Sequence, residues 1–235
     1  MADGMAGRIQ NSMPDGVGRR ARRTIFPTLT IRDAEYSTAE LQRWKDGRYS
    51  LVRSCAPALA NVLRRKAEVR PGRRFFGEAK VAATTPHEVG WYGSYKWLTS
   101  PRWCGSRQLA NRYAAEFRDA LLQHFPALCE FQQVARASIA TGRDRKPVAP
   151  DLWLISPGEH RFIEVKLPGD RLGQHQLVGL ALIAMYLGGD RSVSVEVVNL
   201  STDSKPQRDE GVQQEFQRIC RKLRQLRRGG PTHSS

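Results

Sequence analysis

The chain has 235 residues, with 38 Lys and Arg against 23 Asp and Glu, a net charge of +15 and a pI near 10.3. No apolar run approaches the roughly 18 to 20 residues a bilayer-spanning helix needs, so no membrane span is expected. The cysteines Cys55, Cys104, Cys129 and Cys220 stand far apart without a Cys-x-x-Cys pair, which speaks against a zinc knuckle and for a reducing, intracellular setting. The length suits one domain plus an appendage. The spread of positive charge points to a polyanionic partner, nucleic acid first, with generic solubility or attraction to an anionic membrane as the alternatives.

Residues 1–35 read as a disordered basic arm. They lack the apolar segment of a secretory leader and carry Arg19-Arg20-Ala21-Arg22-Arg23, which reads equally as a phosphate-tracking or nuclear-import cluster and as a solvated tail. The compartment expected is cytoplasmic in a prokaryote or virus and nuclear in a eukaryote. Residues 36–105 read as a helical and aromatic extension. Ser37-Thr38-Ala39-Glu40 is a capping box that opens a helix through Trp44, and a second helix is expected from about Leu51 to Lys66. Arg64-Arg65-Lys66, Arg70 and Arg73-Arg74 make a basic patch. Phe75, Phe76, Trp91, Tyr92, Tyr95, Trp97 and Trp103 follow, interleaved with Lys96 and Arg102. Such a stretch is core material first and a platform for unpaired bases second.

Ser106 can cap the next helix, whose apolar stripe is Leu109, Tyr113, Phe117 and Leu121, with Glu116 at its border. Phe131 to Ala140 reads as a first strand, followed by a basic loop over residues 141–146. Leu152-Trp153-Leu154-Ile155 and Arg161-Phe162-Ile163-Glu164-Val165-Lys166 read as strands joined by a turn at Ser156-Pro157-Gly158-Glu159-His160. A helix then starts near Asp170, apolar nearly all round, and stops at Gly188-Gly189. Ser192 to Leu200 is a further strand. A last helix over about Gln207 to Arg228 has Val212, Phe216, Ile219, Leu223 and Leu226 on one stripe. Arg221, Lys222 and Arg224 lie among its cations, and it can pack on the core, pair two copies of the chain into a homodimer, or face a phosphate backbone.

Chemistry concentrates at Pro150-Asp151 and, thirteen residues on, Glu164-Val165-Lys166. Side chains alternate along a strand, so Glu164 and Lys166 share a face. A hairpin lays Asp151 beside Glu164. Two carboxylates on adjacent strands suit a hard cation such as Mg²⁺, and a lysine beside them can hold a phosphate or orient a water. Gln176 falls on the same helix face as Leu172 and Leu180 and needs a polar partner.

Glu164-Val165-Lys166-Leu167-Pro168-Gly169-Asp170-Arg171-Leu172-Gly173-Gln174-His175-Gln176 resembles the virus-type replication-repair nuclease domain, a branch of the PD-(D/E)XK nuclease superfamily that also forms the nuclease of the Fanconi-associated nuclease. The resemblance covers about Ser106 to Leu200 and is densest from Pro150 to Gln176. The family usually has Ser where Gly173 stands and a Trp-Leu pair where this chain has Val178-Gly179-Leu180.

The resemblance implies an α/β core of helix, three antiparallel strands, helix and strand over residues 106–200. The basic N-terminal extension precedes this core, and the amphipathic helix and tail of residues 201–235 follow it. It implies Mg²⁺, with Mn²⁺ as substitute, held by Asp151, Glu164, the Val165 carbonyl and Glu116. Lys166 would position or activate water, Gln176 would orient groups around the metal, and Arg171 would contact phosphate or else form a salt bridge at the helix start. The activity expected is a DNA endonuclease selective for flaps, forks or junctions. A general or defence nuclease on duplex DNA, and a binding or docking subunit of a larger assembly, are the competing expectations.

Overall fold

The computed structural model describes residues 27–93, 97–100, 103, 109, 111–140, 146–187, 192–202 and 210–228. Five strands form one mixed sheet: β1 (Leu29–Glu35), β2 (Val89–Tyr92), β3 (Leu152–Ser156), β4 (Glu159–Lys166) and β5 (Ser192–Ser201), in the order β1-β5-β4-β3-β2. β2, β3 and β4 are antiparallel neighbours, while β5 runs parallel to both β4 and β1.

Seven α-helices among the described residues cover the sheet: α1 (Thr38–Lys45), α2 (Pro57–Val69), α3 (Phe76–Thr84), α4 (Arg112–His124), α5 (Leu128–Ala140), α6 (Gln174–Tyr186) and α7 (Glu210–Arg228). Strand alternation divides the core in two. Trp153, Phe162, Val195 and Val197 pack with Phe117, Phe131, Leu180 and Phe216 from α4 to α7. Leu152, Leu154, Ile163, Val165 and Val198 pack with Trp44, Leu59, Leu63 and Phe76 from α1 to α3.

Local signals set several elements where expected. Ser37 caps α1, its Oγ accepting from the Glu40 amide at 3.1 Å while Glu40 accepts from the Ser37 amide at 2.8 Å. Pro57, at the first turn of α2, splits the single helix expected from Leu51 into a 3-10 turn (Ser50–Ser54) and α2. α4 is capped by Asn111; Ser106 lies outside the described residues. In α7, Phe216, Ile219 and Leu223 are buried in the chain's own core, and the Tyr186 hydroxyl donates to the Leu223 carbonyl at 2.8 Å. The α7 stripe therefore packs on the core.

Three expectations change. Residues 131–140 are helical, not a strand: the buried positions of α5, Leu128, Phe131, Gln132, Ala135 and Ser138, recur every three or four residues. The buried Gln132 amide is satisfied by donating to the Trp97 carbonyl. The first antiparallel strand is instead β2, from the aromatic stretch. Trp91, Tyr92, Trp97 and Trp103 are buried, Trp91 stacking on Phe117 at 5.5 Å, so these rings are core and not a base platform. Tyr95, Lys96, Arg102 and the Arg19–Arg23 cluster lie outside the described residues. Residues 29–35, expected within a disordered arm, are β1, held in register with β5 from Leu29 opposite Val195 to Glu35 opposite Ser201. Helix, three antiparallel strands, helix and strand do follow one another, as α3, β2, β3, β4, α6 and β5, with α4 and α5 inserted after β2.

Glycine in the middle of α6 is set by packing. A Cβ on Gly179 would lie against the Val148 carbonyl oxygen, a backbone atom that cannot rotate away. Alanine normally gains about 1 kcal/mol over glycine in a helix. Here Gly179→Ala is expected to destabilise the protein by about 1 to 3 kcal/mol, the cost of overpacking, measured by urea unfolding. A stabilised variant would show that residue 148 is not held against α6.

Candidate active site

The antiparallel register assembles the site. Leu152 pairs with Ile163, so one step outward Asp151 stands across from Glu164. The Val165 amide donates to Asp151 Oδ2 at 2.9 Å, tying the carboxylate to the neighbouring strand. The Asp151 backbone is held from both sides. Gly93 donates its amide to the Asp151 carbonyl, and a Cβ on Gly93 would collide with the Pro150 carbonyl oxygen. On the other side the Val148 amide donates to the His175 carbonyl of α6 at 3.1 Å.

After β4 the chain turns sharply. The Asp170 amide donates to the Leu167 carbonyl at 2.9 Å, Asp170 Oδ2 accepts from the Leu167 amide at 3.0 Å, and Gly169 adopts φ +88°. Pro168 then Gly169 suits a turn with a left-handed third residue. α6 therefore starts at Gln174, later than Asp170. Gln176 lies in its first turn, and its Oε1 accepts from the Gly173 amide at 2.8 Å and from Lys166 Nζ at 3.0 Å. Its Nε2 donates to Glu164 Oε1, which also accepts from Lys166 Nζ at 2.8 Å. Glu164 and Lys166, both buried, and the half-buried Gln176 thus form one network.

These residues line a cleft of about 340 Å³ with Glu78, Asp170, Arg73, Arg74 and Phe75. Glu78, Arg73 and Arg74 come from the segment leading into α3 and its first turn. Arg73 and Arg74 were visible in sequence as part of a basic patch; Glu78 was not singled out. Its signal was a glutamate in a short helix just ahead of the first antiparallel strand, hidden because the core was expected to begin near residue 106. Glu116 does not line the cleft: it sits exposed on α4, paired with Arg112 at 2.7 Å. Arg171 is exposed on the loop before α6 and is not among the lining residues either. Arg221 and Lys222 are exposed on α7, and Arg224 is half-buried there.

The electrostatics are those of crowded acids in a low-dielectric place. Burial, then the charge of Asp151, pushes Glu78 up to about 8. Burial, then Asp151, raises Glu164 well above the usual carboxylate range. Burial also raises Asp151, against the lowering effect of the Val165 amide and Lys166. All the groups that could bind a cation here are oxygen donors, suiting a hard divalent ion, although no three His, Cys, Asp or Glu among the described residues converge into a complete ligand set.

The chain matches no protein-family model, no curated protein and no solved structure. No helix among the described residues is long and apolar enough to cross a membrane.

An acid whose folded pKa exceeds its unfolded value stabilises the fold most below the unfolded value, and loses that contribution as pH rises through the folded one. For Glu78 the window runs from near 4.5 to about 8. In chelator, the melting temperature is expected to fall across this window. Glu78→Gln should flatten the fall and melt higher than the wild type at the alkaline end. Parallel melting curves for the two proteins would remove Glu78 from the acid cluster.

Proposed function

We propose that the chain is a metal-dependent DNA nuclease, of the virus-type replication-repair branch of the PD-(D/E)XK superfamily. The observation that carries this reading is Asp151 across the strand register from Glu164, with Lys166 hydrogen-bonded to Glu164, in a cleft that also holds Arg73 and Arg74. The order α3, β2, β3, β4, α6, β5, with α4 and α5 inserted after β2, supports it, being the helix, three antiparallel strands, helix and strand that the resemblance implies. No sequence or structural relative adds to these supports.

Asp151, Glu164 and the Val165 carbonyl are the residues to hold Mg²⁺ or Mn²⁺, with Glu78 taking the part expected of Glu116. A bound Mg²⁺ supplies Lewis-acid stabilisation of the phosphate and an acidified water. The protein's own groups do the rest. Lys166, fixed between Glu164 and Gln176, orients the attacking water and offsets phosphate charge. Gln176 keeps the lysine and glutamate in register. Arg73 and Arg74 at the cleft wall bind the phosphates flanking the scissile one. On this reading selectivity comes from DNA shape, and flaps, forks or junctions are preferred over linear duplex.

Metal-assisted phosphodiester hydrolysis draws several kcal/mol from the ion, so Glu164→Gln is expected to cut about a thousandfold more slowly or worse. The assay is cleavage of a flap, a four-way junction, a single strand and a duplex of matched length in Mg²⁺, Mn²⁺ or chelator. Near-wild-type cutting by Glu164→Gln would sink the assignment, and equal cutting of all four substrates would favour a general or defence nuclease. Binding without cleavage would favour a nucleic-acid-binding subunit.

Because the acids release protons when a cation binds, Mg²⁺ should raise the melting temperature more above the Glu78 pKa of about 8 than two units below it. A shift independent of pH would separate the ion from this cleft. DNA affinity should fall steeply with salt, and neutralising Arg221, Lys222 and Arg224 together should flatten that slope if α7 meets the backbone. An unchanged slope would leave α7 a packing helix only.

A further inference from the structure

Beside the acid cleft lies a second cavity, about 500 Å³, between the last turns of α2 and the start of α4. Its cations are Arg65, Lys66 and Arg70 from α2 and Arg112 from α4, and no acidic side chain lines it. Arg112 is engaged by Glu116 at 2.7 Å, but among the described residues neither Arg65 nor Arg70 has an ion-pair partner. Lys66 points its ammonium at two rings, 5.4 Å from the centroid of Phe75 and 4.7 Å from that of Tyr92. Burial, then the neighbouring Arg70, lowers the Lys66 pKa, against the raising effect of Glu78. The cavity thus gathers four cationic side chains with no carboxylate in its lining. The start of α4 adds the positive end of a helix dipole.

The apolar groups show what kind of anion fits. Phe75 lines both this cavity and the acid cleft, so the two are neighbours across one ring. It is the only non-glycine residue with positive φ among the described residues, at 61°, a conformation held only where surroundings fix it. Glycine would adopt it freely, yet a half-buried phenylalanine stands there. Val69, 78 % exposed, adds an apolar wall. A duplex presents mainly phosphates to a surface and has no use for a ring and an exposed valine. An unpaired strand offers base faces and phosphates alternately, and binding such strands combines cations with aromatic platforms.

We infer that this groove binds an unpaired DNA strand, with Arg65, Lys66 and Arg70 on its phosphates and a base against Phe75, and leads it into the acid cleft. This rests on the nuclease reading and specifies which part of a branched substrate the protein holds. Phe75 marks the junction at which the strand passes from binding groove to cleft.

The test is equilibrium binding by the full chain in chelator, read by fluorescence anisotropy, with three probes: an oligothymidylate, an abasic deoxyribose-phosphate chain of the same length, and a blunt duplex. The wild type is expected to bind oligothymidylate at least about fivefold more tightly than the abasic chain. Phe75→Leu, which keeps apolar packing, should abolish that preference. Arg65→Gln with Arg70→Gln should weaken oligothymidylate binding about tenfold or more and reduce its log–log salt slope by about 1.4, two phosphates at roughly 0.7 each. The duplex should lose less than the single strand. Equal affinity of the wild type for oligothymidylate and the abasic chain would overturn the inference, as would an unchanged salt slope in the arginine variant. If Phe75→Leu fails to fold by circular dichroism, the wild-type comparison of the two single-stranded probes still decides. Selective binding without cleavage in Mg²⁺ would keep the groove and discard the nuclease, whereas cleavage without selective binding would do the reverse.

Discussion

The register between β3 and β4 is the constraint from which the site follows. With Leu152 opposite Ile163, Asp151 comes level with Glu164, and the Val165 amide reaches Asp151 Oδ2. A slip of one residue would turn every side chain of one strand to the opposite face and separate the two carboxylates. The two-residue turn at Pro157-Gly158, with Gly158 at φ 77°, sets this register from one end. From the other, Gly93 and α6 hold the backbone of residues 148–151. Even the missing side chains matter, because backbone approaches at Gly93 and Gly179 leave no room for a Cβ.

The site stores unfavourable electrostatics that the core around it sustains. Glu164 and Lys166 are both nearly inaccessible, and a buried ion pair rarely repays its desolvation. Gln176 improves the balance by donating to the glutamate and accepting from the lysine. Burial first, and the charge of Asp151 second for Glu78 and Glu164, makes Glu78, Asp151 and Glu164 all hold their protons more tightly than usual. A fold optimised for stability alone would fill these positions with apolar side chains. The large aromatic cluster on the same face, with Trp153 stacked on Phe162 at 5.6 Å, offsets that cost through burial.

Charge outside the cleft is arranged differently. On the far side of β4, Arg161 and Arg32 share Glu196, at 2.6 and 3.1 Å, a closed structural network with no cation to spare. Around the cleft and its neighbouring groove, Arg65, Arg70 and Arg74 lack carboxylate partners among the described residues. The net charge of +15 is thus partly consumed in packing and partly left available on the face that carries the acids.

What the sequence determined by itself is whatever depends on neighbours a few residues away. The capping box at Ser37, the stripes of α4 and α7 and the turn between β3 and β4 rest on short-range spacing and could be read directly; that turn brings Asp151 to Glu164 and Lys166, while Gln176 joins them through the family resemblance. Tertiary structure alone decided the rest. β1 exists as a strand because its backbone pairs with β5, from Leu29 to Val195, a partner no local pattern announces. α5 is a helix whose buried face packs in the large core, although Phe131, Val134 and Ile139 within residues 131–140 also suit a strand. Glu78 enters the cleft because the first turn of α3 packs on the end of β4, where Gly77 abuts Val165. Glu116, on an equally plausible helix, is carried to the surface. Spacing along one chain fixes which residues share a face, and only the packing of faces against one another fixes which of them meet.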